Sequence, residues 1–303
     1  MAWRVHLTNQ AIQRLDILPG KPILLAAWTQ RDRATYFDLE TGVEMGEHLH
    51  KAVSHQSDKW PEFIASLVAP NGAQLPIVRT AQATMYTTED GRMRLFYSGA
   101  TNLTLEVEGK DLPLEIKNAS DFTTLAFDRL MGVVAALDEK GKLHLYQQHI
   151  RVGAFDLKLK LTDEYAPLLA IADGGAAVFV AAGREIVLTD AGGHVKKRLS
   201  VHYFVGRMTC SPDGKLLVTC DSETGVIRIY DGDDLTPTHQ RHAIDLLHHA
   251  MQIQLIADFP SASAAPGAMS INNAGMLAFT ISGVVCVTAV KQMDALPRPQ
   301  PLL

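Results

Sequence analysis

The 303-residue sequence is poor in cysteine and has no excess of basic residues. Its three cysteines, Cys210, Cys220 and Cys286, are too few and odd in number for a disulfide framework, so the reducing cytoplasm is the expected compartment. With 28 Lys and Arg against 33 Asp and Glu, the formal net charge is −5. This balance argues against binding along the phosphate backbone of a nucleic acid, which requires a basic face.

Long apolar runs are also missing. No segment approaches the ~18 uninterrupted apolar residues of a membrane-spanning helix, and residues 1–10 lack the apolar stretch of a secretory signal. The sequence is nevertheless 47% hydrophobic and 20% charged, which is the balance of an ordinary globular protein. We therefore expect a globular chain that buries a large core and has no membrane span.

Short β-rich runs separated by turn residues recur along the chain, whereas helical spacing of apolar residues is scarce. The clearest case is the segment 208–231, MTCSPDGKLLVTCDSETGVIRIYD. It predicts three strands joined by turns at 211–214 and 221–225, because proline and glycine favour the backbone angles of such turns. Arg228 and Tyr230 alternate with isoleucines, which predicts a half-exposed third strand.

The same segment resembles one blade of a WD-repeat β-propeller. It has an SPDG turn at 211–214, an inner strand, a short acidic turn and a third strand that ends on Tyr230-Asp231, where that family usually has Trp-Asp. The order of strands and turns recurs in five further units, and the first strands are spaced at intervals of roughly 40–60 residues, which brackets the blade periods of propellers. These further units begin near residues 17, 65, 125, 168 and 269.

The repeats predict an all-β protein, a single β-propeller of four-stranded blades over residues 1–296. Six blades are favoured and seven are the alternative, with the first strands lining a central channel. Residues 4–8 precede the first unit and the last unit has no outer strand of its own, so we expect residues 4–8 to close the ring. Residues 297–303 contain three prolines that cannot donate ladder hydrogen bonds, which predicts a Pro-rich surface tail.

No catalytic, cofactor-binding or metal-binding set is predicted. The sequence contains no Gly-x-Ser-x-Gly elbow and no phosphate- or dinucleotide-binding glycine motif. The resemblance to WD-repeat proteins instead implies a non-catalytic protein-protein interaction scaffold, a subunit or adaptor of a larger assembly. The alternative is a propeller hydrolase or lactonase with a metal or carboxylate site on the axis, which a ring of carboxylates with perturbed pKa values would favour.

Histidines are frequent in the connections between the fourth strand of one unit and the first strand of the next. All such connections are expected on one face of the disc, where long loops on a rigid scaffold bind partners. We predict that other proteins bind this face, over residues 46–63, 199–206 and 239–266, and that its charge changes near pH 6–7, since an unperturbed histidine titrates at about 6.5. Ordinary polar loop composition is the competing explanation. The candidate partner-binding residues are His48, His50, His55, His202, His242, His248 and His249.

Residues 243–256 fit two interpretations. Their first half has a helical apolar stripe, and their second half alternates as a strand does. We expect an outer strand or a short helix, followed by a linker at 260–267.

Overall fold

The computed structural model describes most of the chain from residue 122 onward and shorter parts of the N-terminal region. The described residues are 3–6, 12, 14–18, 23–30, 33–44, 86–87, 93–98, 102–107, 110–113, 122–128, 133–147, 150–162, 164–249, 266–281 and 284–296. Within them the chain forms six antiparallel sheets, here called blades 1 to 6 in chain order. The predicted all-β fold built from such blades is confirmed.

Each blade is built as a meander of consecutive antiparallel strands, to which blades 5 and 6 add one strand from elsewhere in the chain. The chain begins with β1 (Trp3–His6) and continues through blade 1, formed by β2 (Arg14–Leu18), β3 (Leu24–Gln30) and β4 (Arg33–Asp38). Blade 2 contains β5 (Tyr86–Thr87), β6 (Met93–Ser98), β7 (Asn102–Val107) and β8 (Lys110–Pro113). Blade 3 contains β9 (Phe122–Phe127), β10 (Val134–Asp138), β11 (Lys142–Gln147) and β12 (Ile150–Asp156).

The C-terminal blades have the same order. Blade 4 contains β13 (Leu168–Ile171), β14 (Ala177–Ala182), β15 (Glu185–Asp190) and β16 (Val195–Ser200). Blade 5 contains β17 (Val205–Cys210), β18 (Leu216–Asp221), β19 (Val226–Asp231) and β20 (Pro237–His242), and β24 (Asp294–Ala295) adds a fifth strand at its outer edge. Blade 6 contains β21 (Met269–Ile271), β22 (Met276–Ile281) and β23 (Val284–Ala289), and β1 is its fourth strand.

The first strands of neighbouring blades lie side by side around the axis. β9 contacts β13, β13 contacts β17, β17 contacts β21, and β21 contacts β2. Together they line a channel of ≈ 220 Å³, as the position of the first strands in the repeats predicted.

The hydrophobic core consists of separate clusters, each shared by two neighbouring blades. Blades 3 and 4 bury Leu143, Val178 and Val187 in one cluster, and blades 5 and 6 bury Ile229 and Phe279 in another. Second and third strands supply most of these residues, because they lie between adjacent sheets and are covered on both faces. This arrangement explains the near-continuous apolar runs in the sequence.

One local prediction is wrong and another is not tested. The first strand of the second unit was expected near residues 65–72, which lie outside the described residues, so this expectation stays a prediction. The third strand of blade 5, β19, was expected to be half-exposed, but Arg228 and Tyr230 are 9% and 3% exposed. Both side chains contact polar groups elsewhere in the blade, which the alternation of apolar residues does not reveal.

The ambiguous segment at 243–256 begins as the short helix Ala243–His249. Ala243 and Leu246 are buried in the cluster between blades 5 and 6, so they attach the helix to the sheets, whereas the expected helical stripe began at Ile244, which is half-buried. Among the described residues, no helix has the length and the apolar character that crossing a membrane requires.

Candidate protein-binding face

The connection between blades 4 and 5, residues 201–204, is held at one end of the disc by a turn of blade 4. The Val201 N–H donates to the Arg184 carbonyl oxygen (2.8 Å), and the Val205 N–H donates to the Gly183 carbonyl oxygen (3.0 Å). Gly183 has φ of +59°, a left-handed conformation that costs glycine little. Connections between blades and the turns between second and third strands therefore meet at this end, which we call the connection face.

Three side chains form a stack on the connection face. The ring centroids of Tyr165 and Phe204 are 4.1 Å apart with 12° between the ring planes. The Arg184 guanidinium carbon lies 4.2 Å from the Phe204 ring centroid. Tyr165 and Arg184 must occupy opposite faces of the Phe204 ring, because they would overlap on one face. The two aromatic residues are half-buried and Arg184 is exposed, so the stack contributes to the accessible surface.

Charged residues surround the stack. Partial desolvation, followed by the nearby Glu164 and Glu223 carboxylates, raises the pKa of the Tyr165 phenol, and the Arg184 guanidinium opposes this effect. Glu164 and Glu223 are both exposed. The connection face thus combines aromatic rings and an arginine, residue types that are enriched at protein interfaces, with two anions beside them.

A buried polar network lies beneath Phe204. The hydroxyl of its chain neighbour Tyr203 is 2.7 Å from Thr219 Oγ1 and 2.6 Å from the Tyr230 hydroxyl. The Arg228 guanidinium carbon lies 4.0 Å from the Tyr203 ring centroid. Because Tyr203 is fixed in the core of blade 5, the positions of Phe204 and the rest of the connection are fixed as well.

The predicted histidines fall into three groups. His202 is exposed on the connection face, and its ring meets the Tyr203 ring edge-on, with centroids 5.5 Å apart. His242 is exposed at the end of β20, and His248 and His249 lie in the helix that follows. The N-terminal candidates His48, His50 and His55 lie outside the described residues.

The helix Ala243–His249 is joined to the same face. The Ala243 N–H donates to the Gly225 carbonyl oxygen (3.1 Å), so the helix begins against the turn at 222–225. The Ser222 N–H of that turn donates to the Phe204 carbonyl oxygen (3.0 Å). One turn of blade 5 therefore connects the aromatic stack with the histidine-bearing end of β20.

The axial channel is the alternative site, and most of the residues that line its described part have apolar side chains. Asp173 is the carboxylate in that lining. Burial, followed by the charges of Asp173, Asp213 and Asp128, raises the pKa of the Cys210 thiol in the channel wall to about 12. Such a thiol stays protonated at neutral pH and is a poor nucleophile.

The carboxylates near Cys210 do not form a recognisable ligand set. Asp213 Oδ1 accepts hydrogen bonds from Ser211 Oγ (2.6 Å) and the Lys215 N–H (3.1 Å), so it stabilises its own turn. In the part of the chain that the structure describes, no group of three or more His, Cys, Asp or Glu side chains is arranged to hold a metal ion.

No family model and no curated protein matches the sequence. Solved structures do match. Raptor from Chaetomium thermophilum has a TM-score of 0.60 over 98% of this chain and 29% of that chain. The β-propeller domain of Cps50 (Swd1) from Myceliophteria thermophila has a TM-score of 0.55 over 93% of this chain and 97% of that chain. The structure of BBS1N in complex with ARL6DN has a TM-score of 0.51 over 93% of this chain and 78% of that chain. Identity is 10% in each case.

The fold is a β-propeller. At this level of identity the similarity bears on the fold alone, and no family membership follows from it. Sequence reasoning predicted the propeller, and its candidate segment 199–206 contains both His202 and Phe204, but it singled out none of Tyr165, Arg184 and Phe204. No local motif marks these three residues, because they come from two connections and a turn that only the folded propeller brings together.

Proposed function

We propose that this chain is a non-catalytic protein-protein interaction scaffold, a subunit or adaptor of a larger assembly. Its partner binds on the connection face, centred on the stack of Tyr165, Phe204 and Arg184. The stack is the observation that carries the proposal. It presents aromatic area and a cation on a rigid support, with the Tyr203 network beneath it. Aromatic and arginine side chains dominate binding energy at interfaces.

The histidines belong to the same proposal. His202, His242, His248 and His249 lie in or beside the segments that form the connection face, and we propose that they contact the partner around the central stack. His48, His50 and His55 are proposed to extend the same surface. In this arrangement the stack supplies most of the binding energy and the histidines supply polar contacts at the rim.

The scaffold is better supported than a hydrolase or lactonase at the axis. Asp173 is the one carboxylate in the described channel lining, the Cys210 thiol there has a strongly raised pKa, and Asp213 stabilises its own turn. One solved structure with a similar fold is a protein complex, BBS1N with ARL6DN, which agrees with a binding role. We also propose a reducing compartment, the cytoplasm, since Cys210, Cys220 and Cys286 form no disulfide.

Affinity purification of the tagged full-length chain from its native source tests the proposal. The double variant Tyr165→Ala/Arg184→Ala should recover partners at least about tenfold less efficiently, because hot-spot residues contribute about 2 kcal/mol or more. The triple variant His242→Ala/His248→Ala/His249→Ala should weaken recovery to a smaller extent. Lys215→Ala, at an exposed turn of the opposite end, is the matched control and should bind as the wild type does.

Thermal unfolding of each variant must accompany the purification. If the double variant melts like the wild type and still recovers every partner, the connection face is not the interface. If the histidine triple variant alone retains full recovery, the histidines are loop residues without a binding role.

A further inference from the structure

Blade 5 shows that the outer edge of a blade in this protein accepts an added strand. β24 comes from the chain after blade 6 and pairs antiparallel with β20, with His239 opposite Ala295 and Gln240 opposite Asp294. The Leu296 N–H donates to the Thr238 carbonyl oxygen (2.7 Å), which extends the pairing by one residue. The edge of β20 is thus covered by a short extended segment.

The outer strands of blades 3 and 4 have the same local geometry as β20. Each of the three strands carries a bulge near its start, where one extra residue stands opposite the third strand. The extra residue is Thr238 in β20, Val152 in β12 and Lys196 in β16. Within the described residues, the edges of β12 and β16 have no strand beside them.

Exposed apolar side chains concentrate at these two edges. Ile150 and Val152 of β12 are 60% and 51% exposed, and Val195 of β16 is 40% exposed. Val43, at 61%, is the other exposed large hydrophobic residue in the described part of the chain. Natural proteins usually protect an edge strand with charge, and a long apolar edge is a template for pairing.

β16 is protected in this usual way and β12 is not. Lys196, Lys197 and Arg198 follow one another along β16, all exposed. On β12 the exposed apolar residues flank one cation, Arg151. Blades 3 and 4 are adjacent, and the Arg198 guanidinium of β16 donates to the Leu157 carbonyl oxygen just beyond the end of β12. The blade next to the apolar edge therefore carries three successive cations on its outer strand.

We propose that the open edge of β12 binds an extended, acidic segment of a partner protein, which adds to blade 3 as a fifth strand. Apolar side chains of the segment contact Ile150 and Val152, and its carboxylates face Arg151 and the β16 lysines. The cations of β12 and β16 favour an acidic segment as the added strand. This surface is separate from the connection face, and the added strand gains affinity from main-chain hydrogen bonds.

The test uses a fluorescein-labelled peptide of alternating glutamate and valine, and measures its binding to the full chain by fluorescence anisotropy. Saturable binding is expected, and it should be lost when alternate peptide nitrogens are methylated, because methylation removes the main-chain donors. A lysine-valine peptide of the same length should bind at least tenfold more weakly. Equal binding of the methylated or the lysine peptide would overturn the proposal.

The variant Ile150→Lys/Val152→Lys should bind the acidic peptide at least tenfold more weakly, although it adds positive charge. Val43→Lys, at an equally exposed apolar position, is the matched control and should bind normally. Undiminished binding by the double variant would overturn the proposal. So would light scattering that shows a dimer for the wild type and a monomer for the double variant, since a second copy would then occupy the edge. Recovery of partners through the connection face should be unchanged in the double variant, so the two proposals fail independently.

Discussion

The hydroxyl groups of Tyr203 and Tyr230 lie 2.6 Å apart in the interior of blade 5. Tyr203 belongs to the connection that enters the blade, and Tyr230 stands near the end of its third strand. Burial raises the pKa of Tyr203, and its hydrogen bonds with Thr219 and Tyr230 act in the opposite direction. The pair joins the connection face to the core, because Tyr203 directly precedes Phe204.

Tyr203→Phe should lower the free energy of unfolding by about 1–3 kcal/mol, because it leaves the buried hydroxyls of Tyr230 and Thr219 without their shared partner. Urea denaturation followed by circular dichroism measures the change. Tyr165→Phe is the matched control, since its hydroxyl is on the half-buried stack, and should change stability by no more than about 0.5 kcal/mol. A Tyr203→Phe variant as stable as this control would show that the network does not stabilise the blade.

Asp221 ends the second strand of the same blade, where the turn to the third strand begins. Its carboxylate should make the free energy of unfolding depend on pH in the acid range. Burial alone would raise the pKa of Asp221, but hydrogen bonds from the Thr224 hydroxyl and from the Glu223 and Thr224 N–H groups outweigh it and hold the pKa below the ordinary value. A lowered folded-state pKa contributes stability above the unfolded value, and this contribution is lost as the pH falls through the folded-state pKa.

The free energy of unfolding of the wild type should therefore decrease more steeply below about pH 4 than that of Asp221→Asn, which has no proton to bind at this position. Urea titrations at several pH values between neutrality and the acid range measure both slopes. Asp221→Asn should be the less stable protein at neutral pH and should approach the wild type in acid. If the free energy of unfolding changed with pH in the same way for both proteins, Asp221 would not have a lowered pKa in the folded state.

The parts of the fold that are determined by residues close together in the chain could be predicted from the sequence. The SPDG turn is such a case. Ser211 Oγ donates to Asp213 and accepts from the Leu216 N–H, so all its partners lie within five residues. Gly214 has φ of +71°, as the turn chemistry requires. Because each blade repeats such local signals, blade order and the channel follow from them.

The candidate site could not be predicted in the same way, because it depends on distant contacts. Tyr203 and Tyr230 are 27 residues apart in the chain, and the pattern of β19 gives no sign that Tyr230 or Arg228 is buried. The stack of Tyr165 on Phe204 joins two different connections between blades. The sequence pattern indicates which residues lie in connections, but not which connections meet.

Cys210 and Cys220 should react slowly with alkylating reagents in the folded protein. Burial, followed by the charge of Asp221, raises the pKa of the Cys220 thiol to about 12, and the pKa of Cys210 is raised to a similar value. A thiol must be deprotonated to attack an alkylating reagent. Iodoacetamide at pH 8 should therefore label neither residue within minutes, and both should be labelled in guanidinium chloride. Mass spectrometry of the digested protein measures the extent of alkylation at each cysteine. Rapid labelling of Cys220 in the native protein would contradict its placement in the core.

The final prediction concerns the ends of the chain, which we propose close the ring. β1 pairs with β23, with Trp3 opposite Val287 and His6 opposite Val284, and it covers the outer edge of blade 6. Every residue of β23 is buried, so removal of β1 exposes an apolar strand with unpaired main-chain groups. Deletion of residues 1–8 should lower stability by several kcal/mol or cause aggregation. Deletion of residues 297–303 is the control and should have no such effect, since it keeps Leu296 and β24.

A peptide of residues 1–8 provides the decisive measurement. If β1 closes blade 6, the peptide should bind the truncated chain and raise its melting temperature as the peptide concentration increases, because a ligand that binds only the folded state stabilises it by mass action. A peptide with the same composition in scrambled order should have no effect, since the register of Trp3 to His6 against β23 depends on the sequence. A truncated chain that melts like the full chain, with or without the peptide, would show that the ring does not depend on β1 for its closure.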